Sequence, residues 1–322
     1  AGVNPRARIL PLRILDAVGR GRASRLAAAV FYAVDRGARV INLSLGGEGL
    51  SYTERLAVDY ATRAGVLVVV AAGNVAADTS SYGPAGLGSA LAVVATGPDD
   101  ERAGFSNFGD AVAIAAPGVD VLSLRARDTD FAAVVAVEDA RSSGGPVDDA
   151  GLYYRASWTS FAAPFVSGVA SLLVGARPAL TRAEIVRALS MSARDLGVPG
   201  YDRLTGFGLL DAPKALTADP AWFLLARVDR IEIAAGVDGQ ARIDVVGTVE
   251  GSALVDYALE LGRGESPSAW REVGRARAPV SSGLLGRVPL DAITEAGRFT
   301  VRVVARDEGG RTREARGALE VE

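Results

Sequence analysis

The sequence predicts a three-layer α/β domain with a mostly parallel sheet, followed by an all-β sandwich. In the first two thirds, apolar strand-like runs alternate with segments of helical periodicity, and glycines punctuate them. After Leu216 the pattern changes to short alternating runs of Val, Ile and Leu broken by Gly, Pro and Ser. A length of 322 residues with 49% hydrophobic content is enough for about two cored domains. The expected division is 1–220 and 221–322.

Arg8 to Leu15 reads as the first strand, and Ala23 to Arg36 as a helix stopped by Gly37. Val40 to Leu45 is a second strand, Ser51 to Arg63 a helix stopped by Gly65, and Val66 to Ala72 a third strand. Ser51 with Glu54, and Thr181 with Glu184, have capping-box spacing. Strands that alternate with helices imply a parallel sheet covered on both faces. Arg125 to Ala156 breaks the pattern: Asp128, Asp130, Glu138, Asp139, Asp148 and Asp149 surround a Ser-Gly-Pro stretch, which reads as a long loop or solvated insertion. Val166, Val169, Ala170, Leu172 and Leu173 then recur at helical spacing, predicting a buried helix from Ser160 to Gly175. In the last hundred residues, Ala241 to Val249, Val255 to Leu261, Phe299 to Ala305 and Ala315 to Val321 read as strands of an antiparallel sandwich. That region resembles, loosely, the immunoglobulin-like or fibronectin-like modules appended to exported bacterial enzymes.

The chemistry concentrates at Trp158-Thr159-Ser160-Phe161-Ala162-Ala163-Pro164. Ser160 opens the predicted helix, whose free backbone N–H groups and partial positive charge suit an oxygen nucleophile whose attack creates an oxyanion. Pro164 agrees, since proline is tolerated near a helix start. Taken alone, a serine there reads more readily as an N-cap, since Ser is a preferred cap. Val40 to Gly47 and Val66 to Asn74 are both buried runs ending in Gly-bearing turns. In open parallel sheets ligands bind outside the carboxyl ends of the strands, which places Ser44 to Gly46 and Gly73-Asn74 at a substrate site.

Together with Phe105-Ser106-Asn107-Phe108-Gly109, Ala116-Pro117-Gly118 and Thr205-Gly206-Phe207-Gly208, these segments resemble the subtilisin-like (subtilase) serine peptidases over residues 1–217. The resemblance implies that Ser160 is the nucleophile and Asn74 the side-chain donor of the oxyanion hole, with Thr159 assisting. It also implies that Ser44-Leu45-Gly46 and Ala72-Gly73 wall the pocket for the residue before the scissile bond.

Two features depart from the family pattern. The sequence contains no histidine. Gly2-Val3-Asn4-Pro5 resembles the segment that follows the family's His-bearing helix, so the His and the triad Asp are expected ahead of Ala1, and the chain alone is expected to be inactive. Asp16, Asp35 and Asp59 do not stand in the family's position for that Asp. Trp158 stands where the family has glycine; it is expected either to narrow the leaving-group side of the cleft or to turn to solvent or pack on a neighbouring loop.

The net charge of −3 and pI near 5.3 argue against a nucleic-acid partner. No uninterrupted run of 18 apolar residues occurs, so no membrane span is expected. With no Cys, the chain has no disulfide or thiolate metal site. Calcium is suggested by the family alone, and no ligand spacing identifies a site for it or for another cofactor. The resemblance implies a peptide or protein substrate and a secreted bacterial location, with the C-terminal region a spacer or a contact to a surface or polymer. The expected function is serine endopeptidase chemistry, incomplete in this chain; the alternative is a non-catalytic pseudopeptidase that binds peptides or partners.

Overall fold

This computed structural model describes residues 2–16, 19–125, 152–235, 241–293 and 295–321. They form two compact units. One comprises Ala1–Leu196 with Arg203–Ala218, and the other Gly197–Asp202 with Asp219–Glu322.

The first unit begins with α1 (Ala23–Asp35), β1 (Val40–Leu43), β2 (Gly47–Glu48), α2 (Tyr52–Arg63) and β3 (Leu67–Ala71). It continues with β4 (Tyr82–Gly83), β5 (Leu91–Thr96), β6 (Val112–Pro117), β7 (Val121–Leu124) and β8 (Tyr153–Ala156). Helices α3 (Thr159–Ala176), α4 (Arg182–Ser192) and α5 (Ala212–Thr217) complete it. Four strands pair in parallel in the order β1-β3-β5-β6. Successive side chains of β3 divide between the two faces. Leu67 and Val69 join α3, α4 and α5 in one apolar core; Val68 and Val70 join α1 and α2 in the other. A strand buried on both faces must be apolar throughout, which is why Val66 to Ala72 reads as a continuous run.

Helix α3 lies under the sheet with Ala162, Ala163, Val166, Val169, Ala170 and Leu173 buried. At 18 residues it is long and apolar enough to cross a bilayer by composition, yet this face is packed in the protein core. The segment Gly2-Val3-Asn4 docks on it: Val3 covers Gly168, and Asn4 Nδ2 donates to Ser171 Oγ at 2.9 Å. Thr181 and Glu184 form a full capping box on α4, while Ser51 accepts from the Glu54 N–H at 3.4 Å.

Two expectations are corrected. Arg8 to Leu15 is not a strand: among the described residues it joins no ladder, and Ile9, Leu10 and Leu12 are exposed. An extended segment becomes a strand only when a neighbour takes its backbone hydrogen bonds, and among the described residues β1 pairs only with β3. The segment from Arg125 to Ala156 is not loop throughout, because Tyr153–Ala156 is β8, paired antiparallel with β7. Asp128, Asp130, Glu138, Asp139, Asp148 and Asp149 lie outside the described residues.

The second unit is antiparallel throughout. Strands β9 (Leu224–Ala235), β10 (Ala241–Gly251) and β13 (Val280–Val288) form one sheet. Strands β11 (Leu254–Arg263), β12 (Arg271–Ala276), β14 (Gly297–Asp307) and β15 (Thr312–Val321) form the other. Inward-facing Val245, Leu259, Val301, Val303 and Leu319 share one core. Between them, outward Arg302 pairs with Glu260 and lies 4.1 Å over the Trp270 ring.

Candidate active site

Because β1 and β3 run parallel with Leu43 opposite Val70, their carboxyl ends emerge side by side. Ser44 to Gly47 follows the first and Ala72 to Asn74 the second, both beside the N-terminus of α3. A cleft of about 440 Å³ opens there, and Ser160, Thr159, Asn74, Gly73, Ser44 and Gly46 line it. Leu45 also lines it; Ala72 is fully buried behind the wall and does not.

Asn74 is fixed by its acceptor end. Its Oδ1 accepts from the Thr159 N–H and from Thr159 Oγ1, both at 2.8 Å. Because the Thr159 N–H can only donate, the atom facing it must be the oxygen, so the Asn74 NH₂ group points away from Thr159. Thr159 is fully buried, and its hydroxyl also accepts from the Gly73 N–H at 3.2 Å.

The loop carrying Asn74 is held by a residue that sequence reasoning gave no role. Asn107, fully buried, accepts from the Val75 and Ala77 N–H groups at 3.0 Å each through Oδ1, and donates from Nδ2 to the Ala72 carbonyl at 3.1 Å. Its own N–H donates to the Gly73 carbonyl at 3.0 Å. The Phe105 to Gly109 motif was the available signal, but it does not say which backbone groups the amide would reach. Gly73 has φ +107°, and a Cβ there would lie 2.3 Å from Asn107 Nδ2, so the position needs glycine.

Pro164 falls inside α3 at its sixth residue, deeper than the sequence suggested. Having no N–H, it leaves the Ser160 carbonyl without its helical donor. Ser44 Oγ fills the gap by donating to that carbonyl at 2.8 Å, and Asn42 Nδ2 donates in turn to Ser44 Oγ at 2.8 Å. The reciprocal contact, Ser160 Oγ donating to the Ser44 carbonyl, is long at 3.4 Å. The Ser160 N–H, in the first turn of α3, has no carbonyl four residues back within the helix to receive it.

No carboxylate hydrogen-bonds to Ser160 among the described residues. Asp16 accepts from the Arg20 N–H, Asp35 from Tyr60 and Asp59 from Ser89, all with other tasks. Glu54 lines the cleft, and burial pushes its carboxyl above the ordinary range. Trp158 does not line the cleft; its ring is tilted against Phe105 at 5.4 Å, and its backbone N–H donates to the Gly118 carbonyl at 2.8 Å. Among the described residues no three acidic side chains gather as a cation site.

The sequence pattern of the Subtilase family, peptidases S8, matches residues 1–208. The chain belongs to the subtilase family. Over 224 residues this subtilase is 36% identical to Fervidolysin of Fervidobacterium pennivorans, a stretch covering 67% of this chain and 31% of that protein. Over 214 residues it is 36% identical to Subtilisin BL of Lederbergia lenta, covering 66% of this chain and 70% of that one. The solved structure of a protease from Pseudoalteromonas arctica superposes with a TM-score of 0.56 at 30% identity, over 67% of this chain and 64% of that one. The subtilase chain thus spans under a third of Fervidolysin.

Proposed function

We propose that this subtilase is a serine endopeptidase whose nucleophile and oxyanion hole lie in these 322 residues and whose general base does not. The observation that carries the reading is the convergence of Ser160, Asn74 and the start of α3 on one cleft at the ends of two parallel strands. Ser160 Oγ attacks the carbonyl carbon of a peptide bond. The Asn74 NH₂ and the Ser160 N–H donate to the oxygen that becomes negative. The hydroxyl proton passes to an imidazole supplied by a segment outside this sequence, which contains none, and then to the leaving amine. Water hydrolyses the resulting ester and restores the hydroxyl. Thr159 positions Asn74 through its two bonds to Oδ1. The substrates are peptides or proteins, and an extracellular setting is in keeping with a relative such as the Cell wall-associated protease of Bacillus subtilis.

The absence of histidine favours one competing reading, a pseudopeptidase that binds peptides without cutting them. Fluorophosphonate labelling of the whole product of the gene separates the two. An activated Ser160 reacts and Ser160→Ala abolishes the signal; absence of labelling in the wild type would leave only the binding protein.

A further inference from the structure

We propose that Tyr82 fills the space between the two backbone walls of the cleft and restricts the residue before the cleaved bond to a small side chain such as Gly, Ala or Ser. The proposal rests on the peptidase reading above for the direction in which a substrate lies. Its physical basis is the meeting of one ring edge with both walls. A Cβ built on Gly46 would lie 2.8 Å from Tyr82 Cε1, and a Cβ built on Gly73 would lie 2.7 Å from the same atom. Both distances are shorter than carbon atoms tolerate, so the ring fits only because each wall is glycine at the point of contact.

The ring is also anchored. Tyr82 pairs with Glu48 and Gly83 with Gly47 in the β2–β4 ladder. The Gly49 N–H donates to the Ser81 carbonyl, and the Gly86 N–H to the Tyr82 carbonyl, both at 2.7 Å. Burial, and after it the charge of Glu48, push the Tyr82 phenol above its ordinary range, consistent with a hydroxyl partly withdrawn from water beside a carboxylate. A Phe or Leu side chain entering between the walls would have to displace this ring and strain the ladder behind it. An Ala side chain leaves the ring where it is.

The test is binding of two product-like peptides, acetyl-Ala-Ala-Pro-Ala and acetyl-Ala-Ala-Pro-Phe, to the 322-residue chain by calorimetry. The Ala-ended peptide is expected to bind at least about tenfold more tightly, about 1.4 kcal/mol. Tyr82→Ala should reverse the order, while Tyr82→Phe, which keeps the ring and guards against a folding artefact, should preserve it. Equal or tighter binding of the Phe-ended peptide to the wild type, an unchanged ratio in a folded Tyr82→Ala, or no binding of either peptide would overturn the proposal. Peptide binding needs no nucleophile, so its failure is distinguishable from a failure of Ser160 to label.

Discussion

On one side of Ser160, every group is held by another. Asn107 ties down the loop 72–77, Asn74 is fixed through its oxygen by two donors from Thr159, and Thr159 is fully buried at the head of α3. On the other side, the hydroxyl meets, among the described residues, a single backbone carbonyl at 3.4 Å, and the sequence has no imidazole to take its proton. The difference teaches that stabilising an oxyanion and accepting a proton are separable constructions. In the proposed mechanism the first is built from residues of this chain and the second is not.

The largest effect expected breaks the comparison outright. In the whole gene product, Ser160→Ala should lower peptide turnover by about 10⁶, the loss known for the corresponding deletion in subtilisin, with the melting temperature little changed. Asn74→Ala should cost about 10²–10³ in kcat with KM nearly constant, a figure likewise taken over from subtilisin. Asn74→Asp sharpens that result: it keeps the acceptor for Thr159 but replaces the donor with a charge, so kcat should fall at least as far in steady-state assays.

Asn107→Ala tests whether the organised side depends on its clamp. It strands two N–H groups and a carbonyl, and chemical denaturation should register a loss of about 3 kcal/mol. Thr181→Ala, which removes a capping box away from the cleft, should cost about 1 kcal/mol and leave labelling of Ser160 in the whole gene product untouched. The smallest effect concerns pH. Burial raises the folded carboxyl of Glu54 above its unfolded value of 4.5, so the fold holds the proton more tightly. Its contribution is therefore present below about pH 4.5 and is lost as pH rises through the folded value. Stability measured between pH 4 and 7 should decline less in Glu54→Gln than in the wild type.

Much of this was legible where the signal is local. Val66 to Ala72 announces a strand buried on both faces, Gly37 and Gly65 stop two helices, and the run after Ser160 gives α3 almost to the residue. What stayed hidden depends on partners distant in sequence. Arg8 to Leu15 has the composition of a strand but, among the described residues, no neighbour to pair with. The depth of Pro164 in α3 is tolerable only because Ser44, 116 positions from Ser160, donates to the carbonyl the proline leaves open. Asn107 reaches backbone groups 30 or more positions away, and Tyr82 meets Gly46 and Gly73 through folding rather than spacing.

The central claim is that these 322 residues carry a nucleophile and an oxyanion hole without a base. The most direct measurement is the rate of fluorophosphonate labelling of this chain beside its Ser160→Ala variant and the whole gene product. The account predicts that the chain labels no faster than the variant while the whole product labels rapidly at Ser160. Rapid labelling of Ser160 in the chain by itself would contradict it, because a base would then have to lie within a sequence that has no histidine.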